Sequence, residues 1–228
     1  MNTRNLIRWT GLSAMAAGII FAGIQPIHPL DVLASVTTER WAIIQSLKMT
    51  MCLLGLVGMT GLYARQVKQV GWLGLAGYLL FSLFYALTMA FVFAEAFILP
   101  LFATQAPKFV EGFLGIINGH ASEVNLGVLP ALYNLTGLVG YVLGGLLFGI
   151  ATFRAGILPR WAAGLFAAGA LAPFVLAQLP HPLNRTFAVP MGIALAGLGY
   201  ALWSERREPA EESIPDRASP HLRPAVAE

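Results

Sequence analysis

RWTGLSAMAAGIIFAGIQPIHPLD, residues 8–31, reads at first like the leader of a secreted chain, because Arg4 and Arg8 precede an apolar core. A second stretch decides against that reading. RWAAGLFAAGALAPFVLAQLPHPLN, residues 160–184, repeats it with one residue inserted, with Arg–Trp at the head and His–Pro–Leu at the foot. The later copy is internal and cannot be a cleaved leader. Both copies are therefore expected to be membrane spans.

Composition points the same way. Of 228 residues, 57% are hydrophobic and only 11% charged, with a mean hydropathy of +0.70. Soluble domains carry roughly a quarter charged residues, so the apolar excess here is expected to face lipid. Six apolar segments follow, at about 6–25, 41–64, 70–99, 127–151, 160–179 and 186–204, each near the ~20 residues that cross hydrocarbon as a helix. Backbone groups cannot stay unpaired in lipid, and the alternation of barrel strands is absent, so the expected fold is an all-α integral membrane bundle of six transmembrane helices.

The basic residues orient the spans. Of fourteen Lys and Arg, ten fall on one side: Arg4, Arg8, Arg65, Lys68, Arg154, Arg160, Arg206, Arg207, Arg217 and Arg223. Arg40, Lys108 and Arg185 fall on the other, and Lys48 lies inside a span. The positive-inside rule then puts both termini in the cytoplasm.

The repeat extends beyond the opening pair. The third span opens GWLGLAG (71–77), and the second and fourth share GLVG at 55–58 and 137–140. Three helical hairpins derived from one unit account for this, an arrangement that occurs in transporters. Between spans, residues 104–126 hold Phe109, Phe113 and Ile116 or Ile117 at helical spacing. Pro107 suits a first turn there and Asn118–Gly119 a stop, which predicts a short amphipathic helix on the outer surface. Residues 205–228 are polar and rich in Pro and Glu, and read as a disordered cytoplasmic tail.

Two groups of side chains stand out. FVFAEAFILP (91–100) sets Glu95 in an apolar run; counting turns from Val70 brings it to the outer rim of a long third span. Lys48 enters its span from the same side, so a Lys48–Glu95 pair that neutralises both charges is expected. The alternatives are a carboxylate bonded to loop backbone and a lysine snorkelling to the headgroups. The second group is on the outer face: His28, Asp31, His120, Glu123 and His181 carry donor types that suit zinc or copper. No paired spacing pre-positions two of them on one helix, which favours capping of span ends. Asn134 and Gln45, in the outer halves of spans, are read as interhelical hydrogen-bonding groups or cavity lining. The single cysteine, Cys52, excludes an intramolecular disulfide and reads as a buried thiol.

GLYARQ (61–66), EAFILPLFATQAP (95–107), LFGIATFRAGILPRWAAGL (147–165) and GYALWS (199–204) resemble segments of multi-pass membrane proteins of actinobacteria and related bacteria, relatives of the DUF4386-type proteins. The resemblance implies a bacterial plasma-membrane protein of about six spans and brings no activity, cofactor or catalytic residue with it.

Function classes narrow accordingly. No phosphate loop, nucleophile elbow or Cys-x-x-Cys motif is present, and no basic aromatic patch suits nucleic acid. No cofactor is called for, and haem would need a histidine within a span. The leading expectation is a non-catalytic structural, accessory or sensor protein. A small-solute or proton-coupled carrier using Lys48 and Glu95 is the alternative, and an outer-face metal-binding protein the second. The lipid bilayer is the expected partner; a homo-oligomer or a further membrane partner stays open.

Overall fold

A computed structural model of the chain describes residues 3–176, 183–186 and 188–205. Among these the protein is all-helical, with no strand. α1 (Thr3–Ile24) is followed by a 3-10 turn, Leu33–Ser35. α2 (Glu39–Phe93) runs through a π-helical turn, Ala94–Ile98, into α3 (Leu99–Phe102), and α4 (Pro107–Asn118) comes next. α5 (Leu129–Asn134), a second π-helical stretch (Leu135–Leu143) and α6 (Gly144–Ala155) form one rod; α7 (Arg160–Leu176), α8 (Leu183–Thr186) and α9 (Val189–Ser204) complete the described chain. Asn5–Ile24, Glu39–Phe102 and Leu129–Ala155 are long and apolar enough to cross a bilayer, and Val189–Ser204 is apolar but shorter.

At 64 residues the second of these is about three times the length a bilayer needs, and it folds back on itself. Gln66 (φ −123°, ψ 15°) and Gly71 (φ 56°, ψ −157°) leave helical geometry. Residues 39–65 then run antiparallel to residues 72–102. Tyr63 stacks on Tyr78 with centroids 4.7 Å apart, the hydroxyls of Thr60 and Tyr78 lie 3.1 Å apart, and Trp41 reaches Glu95 at the far end. The reversal falls where the sequence leaves a polar gap between the second and third apolar segments. Gly71 is needed there, because a positive φ with ψ near 180° is open to almost no other residue.

The six long limbs close into a ring in chain order. α1 packs on the first limb of α2, where Gly58 meets Ala14. The second limb of α2 packs on α6 beside Phe148, and α6 packs on α7 through Phe148 and Phe166, rings 5.9 Å apart. α7 reaches α9 at Gly169 and Met191, and α9 closes on α1. That last seam is backbone against backbone: a Cβ on Gly18 would stand 2.4 Å from the Gly192 carbonyl and the Ala196 nitrogen. Apolar helices gain nothing from hiding in one another when lipid surrounds them, so close packing at small residues is what holds such seams. One continuous core draws on all six limbs, with Phe81, Tyr85, Phe148, Phe166 and Met191 fully buried.

α4 forms at the residues its start and stop signals predict: Pro107 lies in its first turn and Gly119 caps it at φ 73°. It buries Val110, Phe113 and Leu114 against Val36, Trp41, Phe91 and Leu99, a second apolar cluster at the end of the bundle opposite the Gln66–Gly71 turn. Phe109 packs at its margin. One expectation changes: Asn134 is exposed rather than bonded between helices. The expected disordered tail falls outside the described residues except for Glu205. Glu205 accepts from Arg65 through both carboxylate oxygens, Nε to Oε2 at 2.7 Å.

Candidate functional site

Local chemistry around Glu95 begins with a proline five residues away. In the π-helical turn the Leu99 N–H bonds to the Ala94 carbonyl instead of the Glu95 carbonyl. In the same register the Glu95 carbonyl would need the N–H of residue 100, and Pro100 has none. The orphaned carbonyl is met from the other limb of the hairpin: Trp41 Nε1 donates to it at 2.8 Å. Trp41 is fully buried. Sequence thus sets the turn, the turn frees a carbonyl, and a tryptophan 54 residues earlier in the chain anchors it.

The Glu95 side chain points into the same space. Its Oε2 accepts from Lys48 Nζ at 2.9 Å, with side-chain exposures of 3% and 16%. The expected pair therefore exists. It is directed inward, and each charge is met by the other rather than by loop backbone. Lys48 lies two turns below Trp41 on one face of α2, and Gln45 lies between them. Gln45 has no exposed surface, and neither its Oε1 nor its Nε2 has a hydrogen-bond partner.

A second ion pair sits beside the first. Arg185 donates to Asp31 Oδ2, and the Asp31 backbone carbonyl accepts from Asn118 Nδ2 at 3.0 Å. Asp31 is 6% exposed, and its charge and that of Arg185 both act on Glu95. His28, 5% exposed, donates from Nδ1 to the Pro29 carbonyl at 2.7 Å, and its ring meets Trp41 edge-on at 6.3 Å. Two acids and two bases thus form a neutral, largely buried layer between the main core and the cluster under α4. Arg40 ties the neighbouring loop by donating from Nε and Nη2 to the Ile27 carbonyl.

The outer-face ligand set does not assemble in this way. Asp31, His120 and Glu123 border one groove beneath the α4 C-terminus. Yet no three His, Cys, Asp or Glu side chains among the described residues stand close enough to share an ion. Glu123 is taken by Lys108 at 3.1 Å on the exposed surface, His120 is exposed, and Asp31 is held by Arg185. His181 lies outside the described residues.

Sequence reading missed Arg185 and Trp41 as members of the layer. The available signals were that Arg185 is an outer basic residue beside the repeated His–Pro–Leu, and that Trp41 stands alone away from the basic end. Trp9, Trp72, Trp161 and Trp203 gather at that basic end and are 63%, 85%, 60% and 37% exposed, whereas Trp41 is buried.

Fold and site together define an all-helical protein with helices of membrane-crossing length and one buried charge layer near an end. Comparison with family models, curated proteins and solved structures returned no match.

Proposed function

We propose that the chain is a six-span integral membrane protein of a bacterial plasma membrane, kin to the multi-pass proteins it resembles, with both termini cytoplasmic and a non-catalytic structural or accessory role. Its outward-facing surface supports a lipid environment: Ile19, Leu53, Leu79, Ile150, Leu171 and Ile193, one from each limb, are exposed. The four exposed tryptophans at the basic end match an interfacial aromatic belt. Three of them, Trp9, Trp72 and Trp161, open the odd-numbered limbs at equivalent repeat positions, which supports three hairpins from one unit.

The observation that carries the structural role is the filled interior. Phe81 packs on Tyr85, Phe166 and Tyr141 with centroids 5.3, 4.9 and 5.9 Å apart, and these rings come from three limbs. A carrier needs a polar way through the bundle, and this axis is aromatic. The charge layer then works as a latch that ties the loop after α1, both limbs of α2, and α8. Purified protein in liposomes tests this: no proton or solute flux above empty liposomes is expected. Flux that disappears in Lys48→Ala and Glu95→Gln would overturn it.

A second reading, a proton-coupled carrier, has one observation in its favour. Gln45 presents a buried amide with no partner beside the Lys48–Glu95 pair. A buried unpaired amide costs about 1–3 kcal/mol, so a polar occupant there would be stabilising.

A further inference from the structure

We propose that the groove between α1 and α9 at the basic end is a binding site for the headgroup of an anionic phospholipid. This rests on the membrane reading above and assigns that surface a ligand. The groove, about 320 Å³, is lined by Asn5, Arg8, Trp9, Leu12 and Trp203. Arg8 Nε donates to the Trp203 carbonyl at 3.3 Å, and its guanidinium lies 5.9 Å above the Trp203 ring. The head of the side chain is thereby fixed at the C-terminal end of α9. That single bond uses one of five guanidinium hydrogens, and Arg8 lines the groove with the other four to offer a ligand.

Charge distribution selects the occupant. Up to residue 204 every acid, namely Asp31, Glu39, Glu95, Glu111 and Glu123, belongs to the opposite end of the bundle. Arg4, Arg8, Arg65, Lys68, Arg154 and Arg160 belong to the basic end, and Glu205 is held by Arg65. No described carboxylate competes for Arg8. A phosphodiester fits a planar guanidinium, and basic pockets between helices on the cytoplasmic side suit anionic headgroups. The groove is also graded. Asn5 and Arg8 form its polar mouth, and Leu12, one turn deeper, offers an apolar wall. Trp9 and Trp203 flank it as interfacial aromatics. That gradient matches a lipid, polar at one end and apolar at the other, better than a free phosphate.

The test is the full chain reconstituted in nanodiscs of phosphatidylcholine alone or mixed equally with phosphatidylglycerol, with thermal unfolding as readout. Wild type is expected to melt higher in the mixed discs. Arg8→Gln should lose most of that rise and Arg8→Lys should keep part of it. Arg160→Gln, a basic residue of the same end that leans on Phe153, should keep all of it. An equal rise in Arg8→Gln, or none in wild type, overturns the site. So does a fall in Arg8→Gln of the same size in both discs, since the stability lost would then be that of the Arg8–Trp203 bond and not of a bound lipid. Inorganic phosphate added to phosphatidylcholine discs should give no rise; a rise would replace the lipid with a free anion. Failure to enter nanodiscs at all would instead count against the membrane reading.

Discussion

Lys48 Nζ and Glu95 Oε2 lie 2.9 Å apart across 47 residues of chain, joining the two limbs of one folded-back helix. Both charges are drawn inward, although each side chain starts near the end of the bundle that α4 covers. Two features hold them there. The π-helical turn directs Glu95 at the facing limb, and the Arg185–Asp31 pair beside it completes a neutral layer. Taking such ions out of water is costly, and their attraction repays that only with good geometry. Once formed, the pair is intolerant of losing one member.

Glu95→Gln and Lys48→Met should each therefore destabilise the protein by about 3–5 kcal/mol, the range for leaving one partner of a buried pair alone. The combined Lys48→Met, Glu95→Leu protein should lose less than the sum of the singles. A double-mutant cycle from unfolding in detergent measures the coupling. Strict additivity would show that the pair does not act as a latch.

Trp41→Phe keeps a ring in the cluster under α4 but removes the only donor to the Glu95 carbonyl described above. Leaving that acceptor buried and unpaired should cost about 1–3 kcal/mol. Pro100→Ala restores an N–H in the same turn and should lessen that cost. If Pro100→Ala makes Trp41→Phe no better tolerated, the proline is not what orphans the carbonyl.

Much of this was legible in the sequence, and for identifiable reasons. α4 has chemical punctuation at both ends, Pro107 and Asn118–Gly119, and it formed between those marks. The Lys48–Glu95 pair followed from counting turns, because helical rise is fixed. Side-chain direction was harder to read. A helix apolar all round carries no face signal, so nothing in the pattern showed that Asn134 points outward while Gln45 points in. The role of Trp41 depended on a register change that only the position of Pro100 hints at. The Asp31–Arg185 pair joins residues 154 apart, beyond any local spacing rule. That distance is also why Asp31 read as a metal ligand.

The closing seam of the ring makes a contrast between two glycines of α1. Gly18→Ala places a methyl against backbone that cannot rotate away, and overpacking of this kind typically costs about 1–3 kcal/mol. Gly23→Ala meets nothing within 4 Å and should be neutral or stabilising by up to about 1 kcal/mol through helix propensity. Melting temperatures of the two variants in one detergent decide the matter. Equal effects would argue against a tight α1–α9 contact.

At the reversal of α2, Gly71→Ala is expected to cost about 1–3 kcal/mol from backbone strain alone, since no neighbour lies within 4 Å of the added methyl. Unfolding measurements on Gly71→Ala beside Gly74→Ala separate strain from crowding. The second adds a methyl 2.3 Å from Val70 Cβ, an atom fixed to the backbone of a buried, β-branched residue, and so reports crowding. A fully tolerated Gly71→Ala would mean that the limbs are not joined by this turn.

The central claim is a membrane bundle with the charge layer outside and the basic end inside. Single cysteines introduced into a Cys52→Ser background, reacted with a membrane-impermeant maleimide in intact cells, address it most directly. The account predicts that Ala121→Cys, in the exposed loop after α4, is labelled in intact cells. Lys68→Cys, at the α2 reversal, should be labelled only after the membrane is opened. Labelling of both in intact cells, or of Lys68→Cys alone, would contradict it.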